Sequence, residues 1–207
     1  MLKNLKKEYE ACNKCGKCMN SQKVFGSDNP DADIMIVGEG PGEVEVETGV
    51  PFTGPAGQLL DKILGAVDIK RESLYYTNTI LCRTNEKNRT PSWEEIQNCA
   101  ERLDKEINIV KPNIIIMVGS PSLKRFFGRD SRVTECHGRW FTDFRPPYAR
   151  FFCIYHPSWA LHSSTPGELK AKKRILWEDI KVFRDTLDIT NFTLKRDLSE
   201  TDEKEVL

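Results

Sequence analysis

Short apolar runs alternate with amphipathic stretches along this chain, and that alternation narrows the folds open to it. Residues 33–37, 74–81, 114–118 and 151–155 are apolar, β-favouring runs of strand length. Between them, residues 56–67, 92–110 and 120–127 carry helical patterns. Residues 166–187 follow as a last helix with Trp177, Ile180 and Phe183 on one face. Ser92, with Glu95 three residues on, is a capping-box signature for the second of these helices. Residues 1–11 read as a further short helix, and the insert between 132 and 150 as a hairpin. Such alternation implies a mostly parallel sheet covered by helices on both faces. The expected fold class is therefore α/β, a three-layer α/β/α arrangement around a central, mostly parallel sheet of about four strands.

The loop after the first apolar run is the most unusual segment. Gly38 to Leu60 reads GEGPGEVEVETGVPFTGPAGQLL. About eighteen of these residues, rich in Gly, Pro and Glu, separate strand from helix, and long ordered loops usually carry function. The glycines do not match G-x-G-x-x-G, and no GK[ST] follows. Glu39, Glu43, Glu45 and Glu47 would also repel a pyrophosphate. In open α/β sheets ligands bind at the carboxyl ends of the strands. Three segments with unusual residues fall there: 39–42, 77–82 and His156-Pro157-Ser158. They are read as one site.

A chain of 207 residues suits one well-buried core. Residues 1–190 are expected to form a single domain, with 191–207 a polar tail. Lys+Arg and Asp+Glu both number 31, so a globally basic nucleic-acid binder is excluded but a local basic face is not. No apolar run approaches the roughly 20 residues of a membrane span, and the first residues lack an apolar signal core. The expectation is a soluble cytoplasmic monomer that does not contact membranes.

Seven cysteines in a chain read as intracellular argue against a complete disulfide framework. Cys12 and Cys15 form a C-x-x-C pair; Cys82 and Cys99 have sixteen residues between them. Four thiolates from two distant segments suit a tetrahedral metal or an iron–sulfur cubane, and spacing alone leaves zinc and a cluster open. Cys18 competes as a ligand. Cys136 and Cys153 fall at strand-like positions and read as ordinary core thiols.

Taken together, the Gly38–Leu60 string, the paired cysteines, Asn78 at the end of the second apolar run and YHPSWALHSS near the last resemble the family-four uracil-DNA glycosylases. These are the iron–sulfur members of the uracil-DNA glycosylase superfamily. The match runs in order over residues 12–187. It implies the superfamily's α/β/α fold, a [4Fe–4S] cluster in segments 12–18 and 82–99, and hydrolysis of the bond joining uracil to deoxyribose in DNA. Under the resemblance Cys12, Cys15, Cys82 and Cys99 become the expected cluster ligands and Cys18 the spare.

The resemblance also assigns roles. An enzyme acting on a base in DNA must turn it out into a pocket. Phe52 matches the stacking aromatic. Asn78 has a donor and an acceptor to pair with uracil O4 and N3–H and to reject cytosine. His156 would stabilise the departing uracil anion near O2. Glu39 and Glu45 match the motif glutamates, and either could act as base or orient water; Glu45 could instead crowd the C5 edge and exclude thymine. Gly40 stands where a better-known branch has an Asp base and supplies only backbone. Val46 replaces an Asp frequent in the family, which weakens a two-carboxylate mechanism. Ser158 matches a phosphate-gripping serine, and Trp159 and Leu161 fall where the family wedges the duplex. Ser120 and Ser122, and Arg83, Lys87 and Arg89, are further candidates for backbone contact.

Two other classes stay open. One is a non-catalytic or covalent uracil-DNA-binding member of the superfamily; the covalent branch has a His-containing loop after its third cysteine, and RTNEKNRTPS here has no His. The other is an iron–sulfur redox protein. A sliding clamp is a possible partner, although the tail from Lys195 carries no specific motif.

Overall fold

Alternation within the strands sets the layers. In this computed structural model, which describes residues 1–15, 22–84, 89–142 and 149–187, six strands form one sheet. They are β1 (Ser27–Asp28), β2 (Ile34–Gly38), β3 (Leu74–Asn78), β4 (Ile114–Val118), β5 (Arg139–Thr142) and β6 (Arg150–Ile154), in the order β1-β3-β2-β4-β6-β5. The inner four are parallel, and the short edge strands β1 and β5 run antiparallel to their neighbours. The four expected strands are thus the parallel centre; from the 132–150 insert, read as a hairpin, β5 pairs with the expected last strand, β6.

The helices are α1 (Leu2–Glu10), α2 (Glu43–Thr48), α3 (Pro55–Gly65), α4 (Trp93–Asn98), α5 (Ala100–Val110), α6 (Ser120–Phe127), α7 (Val133–Cys136), α8 (Ser158–Leu161) and α9 (Pro166–Leu187). Ile34, Ile36, Tyr76, Ile114, Ile116 and Ile154 face α3 and α9 through Leu60, Leu64, Ile180 and Phe183. The intervening residues Met35, Val37, Tyr75, Ile115 and Met117 face α5 and α6 through Leu103, Ile107 and Leu123. Two apolar faces on one sheet explain why the strands read as continuous apolar runs rather than alternating ones. A smaller cluster packs Leu5 and Tyr9 of α1 on Leu81 and Cys82.

Four expectations are corrected in detail. The 92–110 helix divides at Cys99, whose φ −94° and ψ −3° end α4 and begin α5; both pieces keep one register, so periodicity does not reveal the break. The 74–81 run leaves the sheet after Asn78. The long loop contains α2, closed at its C-terminal end by Gly49 with φ +71°. On α9 the buried stripe is Leu176, Ile180 and Phe183, while Trp177 is 37% exposed. Cys18, Lys87, part of the 132–150 insert and the tail lie outside the described residues. Among the described residues no helix is long and apolar enough to cross a membrane.

Candidate active site

All four parallel strands end on one side of the sheet. The chain leaves β2 for α3 on one face and reaches β4 through α5 on the other, so a crevice opens beside the carboxyl end of β2. There lies a cavity of about 680 Å³, lined among others by Glu39, Gly40, Phe52, Asn78, His156 and Leu161.

Its floor is the β2–β3 pair. Gly38 lies opposite Asn78 in register. A Cβ on Gly38 would collide with Asn78 Oδ1 and Phe52 Cζ, so only glycine lets both side chains meet over this strand end. Beyond the strands, Thr79 donates to Gly38 O through N–H at 2.9 Å and through Oγ1 at 2.6 Å. Asn78 is 4% exposed, yet among the described residues no hydrogen bond engages its side-chain amide. The amide opens on the cavity, where a ligand can engage both its donor and its acceptor.

Arg102, which sequence reasoning missed, fixes the Asn78 backbone. It is fully buried and donates through Nη2 to Asn78 O at 2.6 Å and Thr79 O at 3.1 Å. Its Nη1 donates to Glu106 Oε2 at 2.6 Å. Glu106 also accepts from Tyr75 Oη at 2.8 Å, Thr77 Oγ1 at 2.7 Å and Gly26 N–H at 3.2 Å. The available signal was an Arg and a Glu four residues apart among the apolar positions of α5.

Phe52 forms a wall. Its ring is buried, 5.3 Å from the Tyr76 centroid and 6.4 Å from that of His156. Its φ of +58° is left-handed, a conformation that costs a non-glycine residue about 1–3 kcal/mol. Glu45 closes the loop between. One oxygen accepts from Gly42 N–H at 3.1 Å and the other from Gly54 N–H at 2.8 Å. A Cβ on Gly54 would lie 2.9 Å from that carboxylate. Glu45 therefore ties the start of α2 to the start of α3 with its two oxygens.

Glu39 lies at the mouth of β2 and faces the cavity. Burial raises its carboxyl pKa, partly offset by a hydrogen bond with the Thr90 side chain. His156 follows β6. Ser158 N–H donates to its Nδ1 at 3.3 Å, and Ser158 Oγ lies 2.7 Å from the same nitrogen. A backbone N–H can only donate, so Nδ1 is an acceptor and the neutral ring carries its proton on Nε2. Burial, with the nearby His162 adding to it, draws the His156 pKa down to about 4.

At the rim the two wedge candidates part. Leu161 is 38% exposed and lines the cavity. Trp159 stacks on Tyr155 with centroids 4.2 Å apart, and Lys172 Nζ lies 5.0 Å over its ring. Arg89 binds Glu95 with both nitrogens, at 2.8 and 2.6 Å, and holds that carboxyl down at about 2. Arg83 lies 3.6 Å from Glu43. His137 pairs with the buried Asp179 at 2.9 Å.

Cys12, Cys15, Cys82 and Cys99 line one small cavity between α1, the end of the β3 segment and the α4–α5 junction. None of the four is in a disulfide. Among the described residues no three His, Cys, Asp or Glu side chains are set to hold a single metal ion. Four thiols spread around a shared cavity fit a polynuclear cluster better than one zinc, whose sulfurs lie about 2.3 Å from the metal.

Comparison with known proteins agrees with this geometry. The family model described as the uracil DNA glycosylase superfamily matches residues 25–181. The type-4 uracil-DNA glycosylase of Sulfurisphaera tokodaii is 34% identical over 191 residues, covering 89% of this chain and 84% of its own. That of Thermotoga maritima is 34% identical over 186 residues, 87% of this chain and 92% of its own. That of Archaeoglobus fulgidus is 30% identical over 167 residues, 78% of this chain and 83% of its own.

Proposed function

The chain belongs to the uracil DNA glycosylase superfamily, and on that premise we propose that it is a hydrolase that removes uracil from DNA. It turns the nucleotide into the cleft and hydrolyses the bond to deoxyribose, leaving an abasic site. One observation carries this reading: Asn78, Phe52, His156 and Glu39 line a single cavity.

Each contributes a distinct part. The Asn78 amide donates to uracil O4 and accepts from N3–H; cytosine reverses both groups and is refused. Phe52 stacks on the base without discriminating pyrimidines. His156, neutral and with its proton on Nε2, donates to O2 as negative charge develops on the leaving base. Glu39, made more basic by burial, orients water toward the cationic sugar and takes its proton. Glu45, with both oxygens on loop amides, shapes the loop rather than activating water. Leu161 is the side chain that fills the space left in the duplex. Ser158 aligns His156.

Cys12, Cys15, Cys82 and Cys99 are read as the ligands of a [4Fe–4S] cluster. When bound it crosslinks three chain segments; hydrolysis moves no electrons, so that contribution is structural.

The test is excision of uracil from a labelled oligonucleotide, followed by alkali. Strand breakage is expected with the iron-loaded protein, and about 100-fold slower excision with His156→Ala or Asn78→Ala. Retention of the oligonucleotide without breakage would instead favour a uracil-DNA binder. Iron and sulfide analysis of wild type and Cys12→Ser tests the ligand assignment separately.

A further inference from the structure

The stacking ring of the pocket is held by a side chain 19 residues downstream in sequence. Arg71 opens the 3-10 turn Arg71–Ser73 that leads into β3. Its Nη1 donates to Phe52 O at 3.1 Å and its Nη2 to Pro51 O at 2.8 Å. The same two nitrogens meet Asp61 Oδ2 and Asp28 Oδ2, each at 2.9 Å. The guanidinium carbon lies 4.3 Å from the centroid of Tyr76, whose ring packs on Phe52 and whose hydroxyl donates to Asp61 Oδ1 at 2.7 Å. Arg71 thus grips the Phe52 backbone directly and braces its ring through Tyr76. On the other side Gly57 makes room, since a Cβ there would strike Phe52 O. These contacts coincide with the left-handed φ of Phe52, a conformation that persists only where its surroundings over-determine it.

We propose that Arg71 is the positioning residue for the stacking ring: its forked contacts hold Phe52 in the orientation that receives the base. The proposal rests on the reading of Phe52 as the stacking residue. A planar fork reaching two carbonyls and two carboxylates is needed, and a lysine ammonium, a point charge on a flexible stem, does not reproduce it. With the ring already placed, base entry need not order the loop, and the reacting bond is presented in one geometry.

The test is a double-mutant cycle on excision rate at subsaturating DNA, using Arg71→Gln, Arg71→Lys, Phe52→Ala and the combined Arg71→Gln/Phe52→Ala. Each single change is expected to slow excision by about tenfold or more, Arg71→Lys included. Adding Arg71→Gln to Phe52→Ala is expected to cost less than about twofold further, because its target is gone. Multiplying losses, or an Arg71→Lys protein as fast as wild type, would overturn the proposal. Crystal structures of wild type and Arg71→Gln supply an arm independent of catalysis. Phe52 is expected to leave its left-handed conformation in the variant, and retention of it overturns the clamp. This comparison decides the matter even if the wild type excises no uracil, an outcome that would remove the proposed function instead. Should Arg71→Gln fail to fold, Asp61→Asn, which loosens the fork without removing it, is expected to shift Phe52 in the same sense; an unmoved Phe52 there counts against the proposal.

Discussion

His156 is kept neutral by its surroundings. Its pKa is about 4 in the folded protein, against roughly 6.5 in an unfolded chain. Between those values the unfolded chain binds the proton and the folded one does not. Stability therefore falls as pH drops through that window, by on the order of 3 kcal/mol once both values are passed. A His156→Asn protein should lose less stability than wild type between about pH 7 and pH 4.5; equal losses in thermal midpoint would show that the ring is not held neutral. The same shift moves histidine out of the acid limb of the rate profile. That limb is expected to follow Glu39, whose carboxyl titrates above the usual carboxylate value because it is buried. Glu39→Gln should be slow and should lose the limb; a residual limb in that variant would assign it elsewhere. Gly38 offers a purely steric counterpart. Gly38→Ala places a methyl group against Asn78 Oδ1 and Phe52 Cζ, so it is expected to reduce uracil excision about tenfold or more while the sheet persists by circular dichroism. Wild-type excision by that variant would mean that the two side chains do not need to meet. Asn78, Phe52 and His156 were legible because each lies at a strand end or in the segment that follows one, within a recognisable string. The steric role of Gly38 and the grip of Arg71 were not, because each is a contact with residues distant in sequence.

Helix α5 joins two regions that look separate in sequence. It starts at Cys99, beside the thiol cavity, and three residues on carries Arg102, which holds the carbonyls of Asn78 and Thr79. The strand end that bears Asn78 is thus anchored on the helix that leaves the thiol cavity. The Arg102–Glu106 pair is almost fully buried, and removing one partner of such a pair typically costs about 3–5 kcal/mol, whereas replacing both is far milder. Arg102→Met should therefore unfold at a markedly lower temperature than wild type. Arg102→Met/Glu106→Gln should recover much of that stability yet excise uracil about tenfold more slowly, since Asn78 O has lost its donor. A single variant as stable as wild type would show that the pair is dispensable. The core helices and the four central strands could be read from apolar periodicity, because that signal is local. The break at Cys99 and the turn of α2 could not. The first keeps the helical register; the second depends on Glu45 bonding Gly42 and Gly54, a contact that pattern alone does not encode.

The molecule as a whole has no net charge, so its attachment to DNA must come from local shape and a few placed groups rather than a general field. Its integrity shows a similar economy at the N-terminal end. Helix α1 buries only Leu5 and Tyr9, with its own Leu2 and with Ile109 of α5 packed beside them. Lys105 of α5 pairs with Glu8 and lies 5.4 Å over the Tyr9 ring, and just past the helix Lys14 pairs with Glu101; exposed pairs of this kind add little. The sheet, by contrast, is covered by apolar clusters on both faces. A cluster held by Cys12, Cys15, Cys82 and Cys99 would be the main bond between these unequal parts. Removing it, by chelation or with Cys12→Ser/Cys15→Ser, is expected to release residues 1–15 first. Amides of α1 should then exchange with solvent at rates near those of an unfolded peptide, while the amides of β2 and β4 stay protected. If instead α1 kept its protection without iron, the two buried side chains would suffice to hold it, and the cluster would have to act elsewhere, on the segment between Cys82 and Cys99.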